Sequence, residues 1–288
     1  MRWDLIQSWP NARFSRQVVC HPHRWHVQET GAGDLVLLLH GAGGSTHSFR
    51  ALIPLLAKKC RVVAIDLPGQ GFTQLGARHR CGLAEMTEDI AKLCAKEGWQ
   101  PAAIVGHSAG GAIALELAPK LLSPRGQPPI VIGINAALDR FDGIAGVLFP
   151  ALAKLLAAVP FTATLFSAAS ANPKRIEALI KGTGSELDSE GLDLYRRLVA
   201  DRTHVDATLM MMAHWSLDAL LAGLPNNNTK TLFIVGDQDG AVPPSVSAKA
   251  AARMPHARVM TLHGYGHLVH EEAPEQVAQI ILDVLAKG

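Results

Sequence analysis

The sequence predicts an α/β protein in which a mostly parallel sheet is covered by helices on both faces and interrupted by one inserted helical segment. Short, almost wholly apolar runs recur along the chain and stop at turns rich in glycine or proline, as strands buried on both faces do. Stretches of helical periodicity separate these runs, and strand–helix alternation specifies parallel strands joined by crossovers. Between residues 139 and 224 the alternation fails, and helical patterns follow one another without an intervening strand.

In chain order, residues 18–20 and 25–28 read as a leading antiparallel strand pair. The strand over 35–39 is all apolar and runs into His40-Gly41-Ala42-Gly43-Gly44, where the glycines stop it. A helix is expected over 48–57, then a strand over 61–66 ending at Leu67-Pro68-Gly69-Gln70-Gly71. A helix over 84–96 precedes a strand over 101–105 that meets Gly106-His107-Ser108-Ala109-Gly110-Gly111, with a helix over 109–122 beyond it. Strands over 130–134, 231–235 and 258–262 and helices over 245–253 and 274–286 complete the alternation. Loops at the carboxyl ends of such strands carry the chemistry.

The expected organisation is a core whose first part spans 1–138, a helical cap over 139–224, and the second part of the core over 225–288. Between Gly143 and Pro173 the only charged residue is Lys154, and Pro150 and Pro160 break the run. A membrane-spanning helix needs ~20 uninterrupted apolar residues. Apolar cap helices packed on the sheet are therefore expected, and the same apolar face could also line a pocket or touch a membrane surface.

Of the 288 residues, 48% are hydrophobic and 18% charged, with 26 Gly and 17 Pro, which excludes disorder, collagen-like repeats and a coiled coil. A net charge of +2 with scattered Lys and Arg lacks the electrostatic footprint of a nucleic-acid binder. Cys20, Cys60, Cys81 and Cys94 are spaced for neither a zinc site nor a disulfide framework, and fit reduced thiols in a cytoplasm. The first sixteen residues carry Asp4, Pro10 and several arginines and hold no apolar stretch of signal-peptide length. No cofactor or metal is expected. No G-x-x-x-x-G-K-[ST] loop is present for ATP, and on a strand His21 and His23 would share a face that His26 does not.

Gly106-His107-Ser108-Ala109-Gly110 matches G-x-S-x-G, with an apolar strand before it and a helix-forming run after it. Flanking glycines let a serine occupy a tight strand-to-helix turn, so that its hydroxyl projects above the sheet. A serine hydroxyl is a weak nucleophile and needs a base held by an acid. Gly236-Asp237-Gln238-Asp239 follows one later strand and Gly264-Tyr265-Gly266-His267 the next. Ser108 is thus the expected nucleophile, His267 the general base and then acid, and Asp239 the residue orienting it. Asp237, nearer its strand, is expected to form the turn as an Asx residue. Asp139, just past the strand ending at Ile134, is an alternative acid. Two backbone donors must face the oxyanion, and the N–H groups of Ala42 and Ala109 are placed for it. His40 is expected to brace its loop.

With nucleophile, acid and histidine in that order, the whole chain resembles the α/β-hydrolase superfamily. A narrower resemblance rests on Trp9-Pro10-Asn11, Arg24-Trp25-His26-Val27-Gln28, residues 40–50, Gly133-Ile134-Asn135-Ala136-Ala137-Leu138, Gly182-Thr183-Gly184-Ser185 and Met211-Met212-Ala213-His214-Trp215. These resemble the magnesium-chelatase accessory-protein family of bacteriochlorophyll biosynthesis. The resemblance implies a serine hydrolase acting on an ester of a hydrophobic or tetrapyrrole-related molecule, with magnesium-chelatase subunits as candidate partners. The alternative it implies is a non-catalytic porphyrin-binding or chelatase assembly factor on a hydrolase scaffold. Carbon–carbon bond hydrolases and haloperoxidase-like enzymes resemble the same fold and stay open as a third reading.

Overall fold

The computed structural model of the protein describes residues 1–139 and 172–287. Its centre is one eight-stranded sheet built from β1 (Ser15–Cys20), β2 (His23–Thr30), β3 (Leu35–Leu39), β4 (Arg61–Ile65), β5 (Ala103–His107), β6 (Ile130–Ile134), β7 (Thr231–Gly236) and β8 (Ala257–Leu262). The strand order is β1-β2-β4-β3-β5-β6-β7-β8. β2 runs antiparallel to β1 and β4, and every other pair is parallel.

Successive side chains of a strand point to opposite faces, so each central strand feeds two cores. Val36, Leu38, Val62, Ala64 and Val105 pack toward α1 (Leu52–Leu56) and the C-terminal helix α10 (Pro274–Lys287). Leu37, Leu39, Val63, Ile65 and Ile104 pack toward α2 (Leu83–Glu97) and α3 (Ala109–Leu117). Both faces are covered, which is why β3 and β5 are buried along their whole length. Short helices α8 (Pro244–Ala251) and α9 (Val269–Glu272) flank β8 and precede α10.

Several boundaries differ from those the sequence pattern suggests, β1 and β2 starting earlier than expected among them, and three of the shifts have a proline as their cause. The helix expected over 48–57 is a 3-10 turn, Thr46–Phe49, followed by the short α1. Pro54 has no N–H to give to the carbonyl of Arg50, and that carbonyl takes the Asn11 amide instead, at 3.0 Å. The helix expected over 109–122 leaves α-geometry after Leu117 for the same reason. Pro119 cannot donate to the Leu115 carbonyl, which accepts from Asn227 at 3.4 Å. β5 begins and ends two residues later than the apolar run: Pro101 has no donor for the ladder, while Gly106 and His107 pair with Gly133 and Ile134 of β6.

Between β6 and β7 the described residues form α4 (Pro173–Gly182), α5 (Ser189–Ala200), α6 (Arg202–His214) and α7 (Asp218–Gly223). The first three start on side-chain caps: Asn172, Asp188 and Asp201 accept from the N–H groups of Lys174, Gly191 and His204. Leu194 and Leu198 of α5 pack with Ile6, Trp9 and Phe72, and Ile176 and Ile180 of α4 with Leu268. The apolar stretch from 143 lies outside the described residues up to 171. Among the described residues no single helix is long and apolar enough to cross a membrane.

Candidate active site

β5 ends one residue before Ser108, and α3 starts one residue after it. Ser108 sits at φ 52°, ψ −117°, a region that costs a side-chain-bearing residue on the order of 1–3 kcal/mol. Its surroundings impose that turn. Ser108 N–H donates to Ile134 O at 2.9 Å, and its carbonyl accepts from Gly111 and Ala137, each at 3.0 Å. The flanking glycines allow the close approach: a Cβ on Gly106 would lie 2.1 Å from Gly110 O, and one on Gly110 would lie 2.2 Å from Leu39 O.

The loops after β7 and β8 bring Asp239 and His267 together. His267 Nδ1–H donates to Asp239 Oδ2 at 2.8 Å, with the residues 8% and 7% exposed. Asp239 Oδ1 accepts from the N–H groups of Ala241 and Val242 at 2.8 and 2.7 Å. This arrangement fixes the imidazole by its Nδ1 side and leaves Nε2 as the nitrogen able to accept a proton. Among the described residues Ser108 Oγ has no hydrogen-bond partner. Thus Asp239 and His267 are joined, and Ser108 stands on its elbow without a bond to His267. Its neighbour His107 reaches the same loop, donating from Nε2 to His267 O at 3.0 Å, with ring centroids 4.7 Å apart.

Asp139, the alternative acid, lies 3.9 Å from Lys249 Nζ, whereas Nδ1 of His267 is taken by Asp239. Asp237 does not form the expected turn within its own loop. Its carboxylate crosses to the next one, accepting from Gly264 N–H at 2.7 Å and His263 at 2.9 Å. The Asx geometry falls on Asp239, which caps the N–H groups two and three residues on.

The loop after β3 is braced on every side. Gly41 lies against Ser108, so that a Cβ there would be 3.0 Å from that of the serine. His40 donates from Nδ1 to Gly41 O at 2.7 Å and accepts at Nε2 from Leu67 N–H at 2.9 Å, the brace expected of it. Gly44 N–H is used by Gly41 O, and Gly43 N–H by Gln70 Oε1 at 2.8 Å. His204, on α6, donates to Gly43 O at 3.1 Å and accepts from Gly71 N–H at 3.0 Å. Ala42 is exposed at the tip of this loop, and Ala109 is buried at the first position of α3, where a helix leaves its N–H groups free.

Burial holds His40 and His107 below the usual imidazole range and takes His204 down to about 4, so these three are neutral supports. Asp66, fully buried, takes His26 Nδ1–H at 2.6 Å and the N–H groups of Thr46 and Phe72 at 2.7 and 2.8 Å. Burial, the largest effect, would raise its carboxyl, but the His26 imidazole, His40 and the Phe72 N–H together hold it well below the usual range. This buried pair fixes the root of the 66–71 loop. Among the described residues no group of three or more His, Cys, Asp or Glu side chains is arranged to hold a metal ion.

One residue that no chemical motif marks out is central. Asn135, at φ 45° and 1% exposed, donates from Nδ2 to Gly266 O and His267 O at 3.0 and 2.8 Å. Its Oδ1 accepts from Gly236 N–H at 2.9 Å. A single amide therefore ties the end of β6 to the roots of both the acid loop and the histidine loop. The available signal was an asparagine directly after a buried strand, since asparagine tolerates positive φ better than other non-glycine residues.

Residues 34–274 match the family model described as alpha/beta hydrolase fold. The chain is 46% identical over 283 residues to the magnesium-chelatase 30 kDa subunit of Rhodobacter capsulatus, covering 98% of each protein. It is 28% identical over 257 residues to the pimeloyl-[acyl-carrier protein] methyl ester esterase of Xanthomonas oryzae, covering 89% of this chain and 96% of the esterase. Among solved structures, a putative lipase from Acinetobacter baumannii superposes with a TM-score of 0.75 at 20% identity, covering 99% of this chain and 95% of the lipase. At that identity the likeness establishes the fold.

Proposed function

The chain belongs to the α/β-hydrolase family, and within it to the family of the magnesium-chelatase 30 kDa subunit; on that premise we propose that it is a serine hydrolase cleaving an ester through an acyl-enzyme. The observation that carries the reading is the buried 2.8 Å pair of His267 and Asp239 on the loops beside a positive-φ serine. In the proposed reaction Ser108 Oγ attacks the ester carbonyl as His267 Nε2 takes its proton, and Asp239 keeps the imidazole in the required tautomer. The carbonyl oxygen, now an alkoxide, is met by the N–H groups of Ala42 and Ala109. Support for Ala42 comes from elimination, because Gln70 and Gly41 already occupy the N–H groups of Gly43 and Gly44. The tetrahedral adduct collapses to acyl-Ser108, and His267 gives its proton to the leaving alkoxide, which departs as the alcohol. Water, deprotonated by His267, then attacks the acyl group and frees Ser108 and a carboxylic acid.

Residues 139–224 act as the cap of this enzyme, between core parts 1–138 and 225–288. The substrate class is a hydrophobic, tetrapyrrole-related ester, a reading supported by the relationship to a chelatase subunit. The thiols of Cys20, Cys60, Cys81 and Cys94, all free, support a cytoplasmic setting. A fluorophosphonate probe tests the assignment. It is expected to label the wild type once, on Ser108, and to leave a folded Ser108→Ala variant unlabelled. Labelling that persists in the variant removes Ser108 from the role.

A second reading is favoured by one specific observation, the 46% identity to a protein named for the chelatase and not for a hydrolase. On it, the chain binds a porphyrin or a chelatase subunit and performs no chemistry. Restoring pigment to a Rhodobacter capsulatus strain that lacks its 30 kDa subunit separates the two. Rescue by wild type alone favours hydrolysis, and equal rescue by Ser108→Ala favours binding.

A further inference from the structure

We propose that the cap segment Thr183-Gly184-Ser185 is a positioning strap for His267, an inference that rests on the serine-hydrolase reading above. The strap follows α4 and lies directly on the two loops that supply Asp239 and His267. The carbonyl of Thr183 receives both the N–H of Gly240, next to the acid, at 3.0 Å and the N–H of His267 itself at 3.1 Å. Ser185, fully buried, accepts Leu268 N–H at 2.8 Å and donates to Glu272 Oε2 at 2.8 Å. The same carboxylate oxygen accepts Gly266 N–H at 3.1 Å, and Oε1 accepts Glu186 N–H at 3.2 Å.

The three successive N–H groups of residues 266, 267 and 268 are thus all held by the strap or by the carboxylate bonded to it. From the other side Asn135 and His107 hold the carbonyls of 266 and 267. A histidine loop fixed by tertiary bonds on both edges cannot shift the His267 backbone, from which the imidazole reaches Asp239, without breaking several of them.

The contact leaves no slack. A Cβ on Gly184, at φ +79°, would lie 1.8 Å from Gln238 O in the acid loop, and a Cβ on Gly266 would lie 2.2 Å from the Gly184 carbonyl carbon. Two backbones pass so closely that each needs a residue without a side chain. Cap elements that merely cover a pocket have no need of such contact with the acid and histidine loops. The strap therefore makes the cap part of the frame that sets the imidazole, and Ser185 and Glu272 are positioning residues acting through His267.

The test uses the full chain labelled with 15N-histidine and an activated aryl butyrate ester. The Nδ1–H resonance of His267 is assigned by its loss in His267→Asn. In Ser185→Ala that resonance is expected to shift or broaden away, and kcat to fall roughly tenfold to a hundredfold with KM held within about twofold. Ser185→Thr, which keeps the hydroxyl, is expected to recover both. Should Ser185→Ala not fold, Glu272→Gln, which removes one carboxylate oxygen at constant length, gives the same reading. An unchanged resonance and unchanged kcat in a folded Ser185→Ala would overturn the proposal. A wild type inert toward esters whose His267 resonance still responds to Ser185→Ala would keep the strap and remove the hydrolase reading.

Discussion

Asn135 supplies both donors and an acceptor to backbone groups far away in the sequence, 101 to 132 residues distant. Asn135→Ala leaves Gly236 N–H and Gly266 O without this partner in a buried site, each such loss costing about 1–3 kcal/mol, while His267 O keeps its bond from His107. The expected result is a urea midpoint lowered by at least one such loss, with activity toward activated esters falling alongside. A midpoint equal to that of the wild type would contradict the role assigned to this amide. The placing of Ser108, Asp239 and His267 on loops at strand ends was legible in the sequence because each follows its own apolar strand. Asn135 was not, since its function consists of contacts and it carries no reactive group. Asp237 shows the complementary limit. Two acids stand two residues apart after β7, and only the cross-loop bond to Gly264 separates the structural one from the partner of His267.

At the scale of elements, the strand pattern survives almost intact because short apolar runs bounded by glycine and proline suit a parallel sheet covered on both faces. The helix ends survive less well where a proline removes one backbone donor, as Pro54 and Pro119 do, and a distant asparagine takes over the freed carbonyl. Propensity cannot foresee that partner. Helix α6 shows what the segment between β6 and β7 contributes to the other half of the site. His204 holds Gly43 O, and Met211 Sδ accepts from the Gln70 amide at 3.1 Å while that residue's oxygen holds Gly43 N–H. Gln70→Ala therefore frees the loop that presents Ala42. With Ala42 N–H as the proposed oxyanion donor, a fall in kcat of roughly tenfold with little change in KM is expected, since a misplaced donor is felt in the transition state. Steady-state kinetics on an aryl ester checks it, and a change confined to KM would assign the loop to ground-state binding instead.

For the whole molecule, buried titratable groups set the response to acid. Burial holds His23, His40, His47, His107, His204 and His270 below the ordinary imidazole range, with His204 at about 4 and His270 at about 3. In the unfolded chain these rings titrate near ~6.5. Below that pH the unfolded state binds protons that the native state cannot, so stability falls with pH at up to roughly 1.4 kcal/mol per pH unit for each ring. Glu271 works the other way. Burial raises it to about 7 against the opposing Arg50, so its contribution is complete below the unfolded carboxyl pKa and fades as pH rises through about 7. Several rings against one carboxyl give a urea midpoint that declines steadily from pH 6.5 to 4.5. His270, whose two ring nitrogens are buried without partners among the described residues, offers the sharpest check: His270→Leu is expected to make that decline shallower. A decline of unchanged slope would mean that His270 does not titrate on unfolding.

The central claim is that Ser108, His267 and Asp239 act together to form an acyl-enzyme. Its most direct test is the release of phenol from an activated aryl ester in the first turnover. A burst equal to the enzyme concentration, a matching acyl adduct on Ser108 by mass, and loss of both in Ser108→Ala are expected. Phenol release without a burst or adduct, or unchanged in Ser108→Ala, would contradict it.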